Sequence, residues 1–232
     1  MRRAVALLMG AAAHDLRTPL NTMAGWLQVL QSGQELPEAT RERAFKGLQS
    51  AVAQQTALAD GLAQIAFVSA EGACPEIAAV DVEGALADAL AAMDGEARAK
   101  AVTLAFAPRD VRLESDGPMV AALLRHALAA SLKFAAKGSR VLVDLAPLPD
   151  PVSGGCLVSM TVEQSLLPAA GIAAILHYVA GVERAKPNGV GAAFFFGVGQ
   201  GIARFIGASI EVIEGDGEAK AVVLIRLPPG RR

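Results

Sequence analysis

Residues 14–20 read His14-Asp15-Leu16-Arg17-Thr18-Pro19-Leu20, and the chain on either side of them repeats with the period of a helix. Val5, Leu8, Ala12, Leu16, Leu20, Met23, Leu27 and Leu30 recur at steps of three and four, so they share one face of a single long helix. Pro19 falls inside this pattern and is expected to bend it, because its ring removes a backbone donor and crowds the preceding turn. Ser32-Gly33-Gln34 closes the helix, and Pro37 suits the start of the next. That second helix is expected from about Pro37 to Ser69, with Ala44, Leu48, Val52, Gln55, Leu58, Leu62 and Ile65 on one stripe. Two such helices on a short turn make an antiparallel hairpin that buries only one side of each stripe. A second copy closing a dimeric four-helix bundle is the expected solution, with Leu58 and Leu62 as the positions facing its core.

The texture then changes. Residues 71–80 read as a linker, since Gly72 and Pro75 break helical periodicity. Helices are expected over 82–99, 118–136, 169–182 and 191–206, the second opened by Asp116-Gly117-Pro118. Strands are expected over 102–107, 140–145 and 156–162, with a Pro/Gly loop at 147–155 between the last two. Two more, 210–213 and 221–227, form a terminal hairpin through Glu214-Gly215-Asp216-Gly217. Helices and strands in this arrangement describe a sheet with helices packed on one face. The expected division is a hairpin over 1–70, the linker, and an α/β domain over 81–232.

Composition narrows the function classes. The 232 residues are 53% hydrophobic and 19% charged, which excludes a disordered chain. The uncharged run from Ala4 to Ala13 is too short for a bilayer core, which needs about 20 apolar residues, so no membrane span is expected. The Met1-Arg2-Arg3 start loosely imitates a signal peptide, but its apolar pattern runs straight on into a charged amphipathic helix, and a cytoplasmic protein is expected. Net charge is −2 and there is no dense basic patch, so a nucleic-acid partner is not expected. Cys74 and Cys156 lack the paired spacing of a zinc or redox motif and read as thiols of a reducing compartment. His126 and His177 have no ligand partners at close spacing; both read as structural helix residues, and no metal site is expected.

The segment from His14 to Leu20 resembles the H-box of sensor histidine kinases. It matches that motif at every position and lies on the first helix of a hairpin, where the family carries its phosphoacceptor histidine. The order hairpin, linker, α/β domain is similar to the family's core along the whole chain. The implied fold class is therefore α+β, a helical hairpin forming a dimeric four-helix bundle followed by a kinase-like α/β sandwich. The implied catalytic residues are His14 as phosphoacceptor, Asp15 as its acid/base partner and Thr18 as a phosphatase-type residue, with Pro19 as the helix bend. The chemistry is consistent with these roles. A neutral imidazole attacks phosphorus near neutral pH, an adjacent carboxylate can fix its tautomer, and a hydroxyl one turn along the same face can orient water.

The resemblance breaks down where the family binds ATP. A motif similar to Asn-Ala-x-Lys-Phe, whose asparagine holds Mg²⁺, corresponds to Ala130-Ser131-Leu132-Lys133-Phe134, with Ala130 at the asparagine position. Alanine has no oxygen for a hard cation. The Asp-x-Gly-x-Gly box corresponds to Glu163-Gln164-Ser165-Leu166-Leu167, where Glu163 imitates the aspartate but both glycines are gone. The Gly-x-Gly-Leu-Gly box, which cradles phosphates, falls on the run ending Phe194-Phe195-Phe196. Gly197-Val198-Gly199-Gln200-Gly201 is a shifted alternative that reads more simply as helix-packing glycines.

The resemblance thus implies a histidine phosphotransferase or pseudokinase of a two-component phosphorelay. His14 would exchange phosphoryl groups with response-regulator receiver aspartates. No cofactor is expected: ATP binding is expected to be lost, and the receiver supplies Mg²⁺. Expected partners are a second copy of the chain, a receiver domain and a sensor kinase. The alternative is a non-catalytic scaffold that binds a receiver or a kinase; an ATP-dependent autokinase is the third reading.

Overall fold

The computed structural model describes residues 2–32, 35–148, 154–180, 193–216 and 220–230, and the side chains of residues 2–11 and His14 lie outside the description. The expected turn at Gly33-Gln34, most of the 147–155 loop, the helix start at 191–192 and Gly217 of the terminal turn also lie outside it.

The first two helices are α1 (Arg2–Leu30) and α2 (Glu38–Val68). Pro37 takes the N-cap position of α2 and Ser69 its C-cap. Helix α1 continues through Pro19, and the Thr22 hydroxyl donates to the Thr18 carbonyl at 3.1 Å beside it. The helices pack side by side, with the Trp26 indole of α1 lying where a side chain on Gly47 of α2 would stand. Ala44, Ala51, Leu58, Gly61 and Ile65 are the buried residues of α2. Val52, expected on the buried stripe, is 53% exposed, and so are Leu20 at 49%, Leu27 at 47% and Phe45 at 54%. Leu58 lies inside the chain's own core at 3% exposure, so it does not face a second copy as expected.

The exposed four have a common geometry. Leu20 and Leu27 each follow a seam residue of α1, Pro19 and Trp26; Phe45 and Val52 each follow one of α2, Ala44 and Ala51. In an antiparallel pair, one residue's rotation past the seam turns both helices toward the same side. All four therefore line one face of the hairpin.

Beyond the hairpin come β1 (Ala78–Asp81), α3 (Val82–Ala99), β2 (Thr103–Ala107), β3 (Arg112–Ser115), α4 (Gly117–Phe134), β4 (Arg140–Pro147), β5 (Cys156–Val162), α5 (Ala169–Val179), α6 (Ala193–Phe205), β6 (Ser209–Glu214) and β7 (Ala221–Leu227). Five strands form one sheet in the order β2-β4-β5-β7-β6, with β2 parallel to β4 and every other pairing antiparallel. Alternate residues are buried along β5 (Cys156, Val158, Met160, Val162) and β7 (Ala221, Val223, Ile225, Leu227). That period of two puts one face of the sheet against the helices.

Strands β1 and β3 were not expected. They pair antiparallel as a separate ribbon, Ala78 opposite Ser115 and Asp81 opposite Arg112, so the stretch read as linker ends in a strand of the α/β domain. Asp116 anchors the same place from the other side. One carboxylate oxygen caps α4 by accepting from the Met119 amide at 3.1 Å, and the other accepts from the Glu76 amide at 3.0 Å.

Candidate functional site

The candidate residues His14, Asp15 and Thr18 lie on the middle of α1. Four residues on from His14, Thr18 is exposed, and so are Arg17 and Asn21. Spacings of four and seven bring positions to one helical face, so the backbone presents the 14–18–21 line together. The same turn is anchored on the opposite side. Ala12 is 2% exposed, Pro19 is buried and Leu16 packs against the core. Asp15 is half-buried between these two faces. The expectation for the His14 imidazole falls on a side chain outside the described ones.

The segments that correspond to the ATP boxes come together around the C-terminal half of α4. Ala130 is 0% exposed and sits in a helix whose residues from Ala127 to Leu132 are all buried. Helix α6 lies along α4. The Phe196 ring stacks on Phe134 with centroids 5.7 Å apart, and Phe195 stands 6.0 Å from the His126 ring. The Lys133 ammonium, 5.9 Å from the centre of the Phe195 ring, is 3.5 Å from the Glu96 carboxylate of α3. Lys100 closes the end of α4 by donating to the Leu132 and Lys133 carbonyls; burial holds its pKa below the usual lysine value, Glu96 pulls it up and Lys133 pushes it down.

Glu163 directs its carboxylate toward Arg140 at 3.9 Å. The loop after it is stitched to the end of α4: Ala136 donates to the Gln164 carbonyl at 2.8 Å, and Leu166 to the Phe134 carbonyl at 2.7 Å. Gly197, Gly199 and Gly201 all lie inside α6, where a side chain on Gly199 would meet Ile210 and one on Gly201 would meet Ile65. They are packing glycines of a helix, not a loop of free amides.

His126 is the residue whose partner sequence reading missed. It is 6% exposed, and its Nε2 donates to Gln64 Oε1 of α2 at 2.7 Å. Burial first, then the neighbouring Arg125 charge, lowers its pKa to about 4, so the ring is neutral at physiological pH. His177 is exposed, not packed as expected. Cys74 is exposed; Cys156 is buried, which pushes its thiol up to about 12. Among the described residues, no three His, Cys, Asp or Glu side chains cluster as a metal site would need, and no helix is long and apolar enough to cross a membrane.

No curated protein matches the chain in sequence. Among solved structures, the Acinetobacter baumannii histidine kinase AdeS is 16% identical with a TM-score of 0.60, covering 94% of this chain and 98% of its own. A bacterial phosphotransferase is 16% identical with a TM-score of 0.55, covering 96% of this chain and 95% of its own. The histidine kinase ThkA, solved in complex with the response regulator protein TrrA, is 13% identical with a TM-score of 0.61, covering 98% of this chain and 63% of its own. At these identities the likeness is one of fold. Residues 4–66, which include His14 to Leu20, match the His Kinase A (phospho-acceptor) domain. Residues 4–66 thus carry a His Kinase A (phospho-acceptor) domain, and the chain as a whole has the fold of the histidine kinase structures it resembles.

Proposed function

We propose that the protein is a dimeric histidine phosphotransferase of a two-component pathway, in which His14 exchanges phosphoryl groups with receiver aspartates and ATP takes no part. The observation that carries this reading is the contact of α6 with the C-terminal half of α4. A nucleotide needs an oxygen ligand for its metal there and open space for its phosphates. Ala130 offers a buried methyl, Phe196 is stacked on Phe134, and Lys133 is engaged by Glu96 and Phe195. These residues do not fit ATP.

The chemistry left to the chain is transfer. A neutral imidazole on α1 attacks the phosphorus of a receiver's aspartyl phosphate, the aspartate leaves as carboxylate, and the phosphohistidine passes the group to another receiver by the reverse step. Asp15 is the acid/base partner, and Thr18, exposed one turn on, orients water for the slower loss of phosphate. Mg²⁺ comes with the receiver. Dimerisation is supported by the face of Leu20, Leu27, Phe45 and Val52, a larger exposed apolar row than a single hairpin needs. We place this exchange in the cytoplasm.

The test is to incubate the protein with labelled ATP and, separately, with labelled phospho-receivers. The expected result is label on His14 from receivers only, with ATP giving no thermal stabilisation; a ligand at 100 times its Kd would add about 2.7 kcal/mol. Labelling from ATP would overturn the reading. Tight receiver binding with no label from any receiver would leave a scaffold.

A further inference from the structure

Where α2 meets the α/β domain, the surfaces interlock in both directions. A side chain on Gly61 of α2 would come within 2.8 Å of the Phe194 ring of α6, so α2 has a notch that takes that ring. A side chain on Gly201 of α6 would come within 2.7 Å of Ile65 of α2, so α6 has a notch that takes the isoleucine. Phe194 is 0% exposed and Ile65 5%. Further along, Phe67 meets Phe205 edge to face at 5.8 Å. Beside these contacts lies the Gln64–His126 hydrogen bond, 62 residues apart in sequence.

Interfaces between domains of one chain are comparatively polar, and the domains move unless the interface is large and hydrophobic. This one is apolar and keyed. A slip of one helical turn along α2 would drive the Phe194 ring from Gly61 onto Leu58 or Ile65. We infer that Gly61, Gln64 and Ile65 of α2, with His126 of α4 and Phe194 and Gly201 of α6, form a fixed joint that holds the α/β domain in one position on the hairpin.

The joint has an acid-sensitive element. His126 faces Gln64 from α2 and Phe195 and Gly199 from α6, all uncharged; on α4 itself its charged neighbours are Arg125 and, beyond Phe195, Lys133 held by Glu96. No carboxylate on these elements is paired with the ring among the described residues. The histidine is held below its ordinary value of 6.5, at about 4, in the closed joint. Its contribution is therefore complete above 6.5 and lost as pH falls toward 4. By linkage, the ratio of closed to open joint should fall between pH 7.5 and pH 5, by at most about thirtyfold, the limit reached if opening returns the ring to its ordinary value.

Spin labels at Ser50→Cys on α2 and Asp88→Cys on α3 report the joint directly. The chain should carry Cys74→Ser and be diluted with unlabelled chains so that only intrachain distances are read; Cys156 is buried and stays unlabelled. The expected result at pH 7.5 is one narrow distance distribution. Gly201→Leu should broaden it while the far-ultraviolet dichroism holds, and Gln64→Ala should do so more mildly, serving if the leucine variant does not fold. At pH 5 the wild type should broaden and His126→Phe should not. A broad or double distribution in the wild type at pH 7.5, or narrow distributions in both joint variants, would overturn the inference.

Discussion

The turn of α1 around Thr18 and the turn of α4 around Ala130 present opposite surfaces. On α1 the polar residues Arg17, Thr18 and Asn21 are exposed, and the apolar ones, Ala12, Leu16 and Pro19, are packed behind them. On α4 the Ala130 methyl has 0% exposure, and the Phe196 ring of α6 stacks on Phe134 of the same helix. On the proposed reading, the difference is that of a site lost by filling rather than by collapse. An empty cleft there would cost packing free energy, whereas phenylalanines at native density contribute it.

The largest expected effect tests the side that was kept. His14→Gln should abolish labelling by phospho-receivers while the chain stays folded and dimeric, because glutamine retains polarity and helix propensity but has no nucleophilic nitrogen. Retained pathway output with receiver binding intact would sink the transfer chemistry on α1. Next comes the filled side. Phe196→Ala removes a ring that is 1% exposed and should destabilise by about 3–5 kcal/mol in denaturant titration. Ala130→Asn should restore no ATP binding and should itself cost about 1–3 kcal/mol, since its amide is forced into a closed core. Recovery of ATP binding in that single variant would show the cleft is latent, not filled.

The hairpin face gives an intermediate effect. Val52→Asp, at a residue 53% exposed, should weaken the dimer by light scattering and leave the monomer folded. Leu58→Asp should instead unfold the chain, being buried within it. A monomeric wild type at micromolar concentration would remove the dimer from the proposal. The smallest effect belongs to Thr18→Ala, which should spare transfer and slow any loss of phosphate from the phospho-receiver by several-fold, because an exposed hydroxyl there only positions water. An equal loss in both activities would make Thr18 part of the transfer step.

Local signals were legible where they were strong. Asp116-Gly117-Pro118 announces α4, whose N-cap carboxylate does what such a residue should. The alternation in Cys156–Val162 gives β5. Strand β1 was hidden because Ala78-Ala79-Val80-Asp81 is short and follows Gly72 and Pro75, which correctly signal a break but not what comes after it. The stripe of α2, read correctly at Ala44, was read one position off at Val52 because valine outweighed Ala51. Close helix packing prefers the small residues. The Gln64–His126 bond could not be read at all, since nothing in either residue's neighbourhood names a partner 62 positions away.

Asp116 has a mechanical consequence through its hold on the Glu76 amide. With Ala70 hydrogen bonded back to Phe67 at one end and Glu76 pinned at the other, only residues 71–75 are left to span the two halves of the chain. Five residues reach about 16–18 Å when fully extended. That is a leash shorter than the hairpin itself, which at about 1.5 Å per residue runs beyond 40 Å. Even detached, the α/β domain would remain tethered near the lower end of α2, at an effective concentration on the order of millimolar.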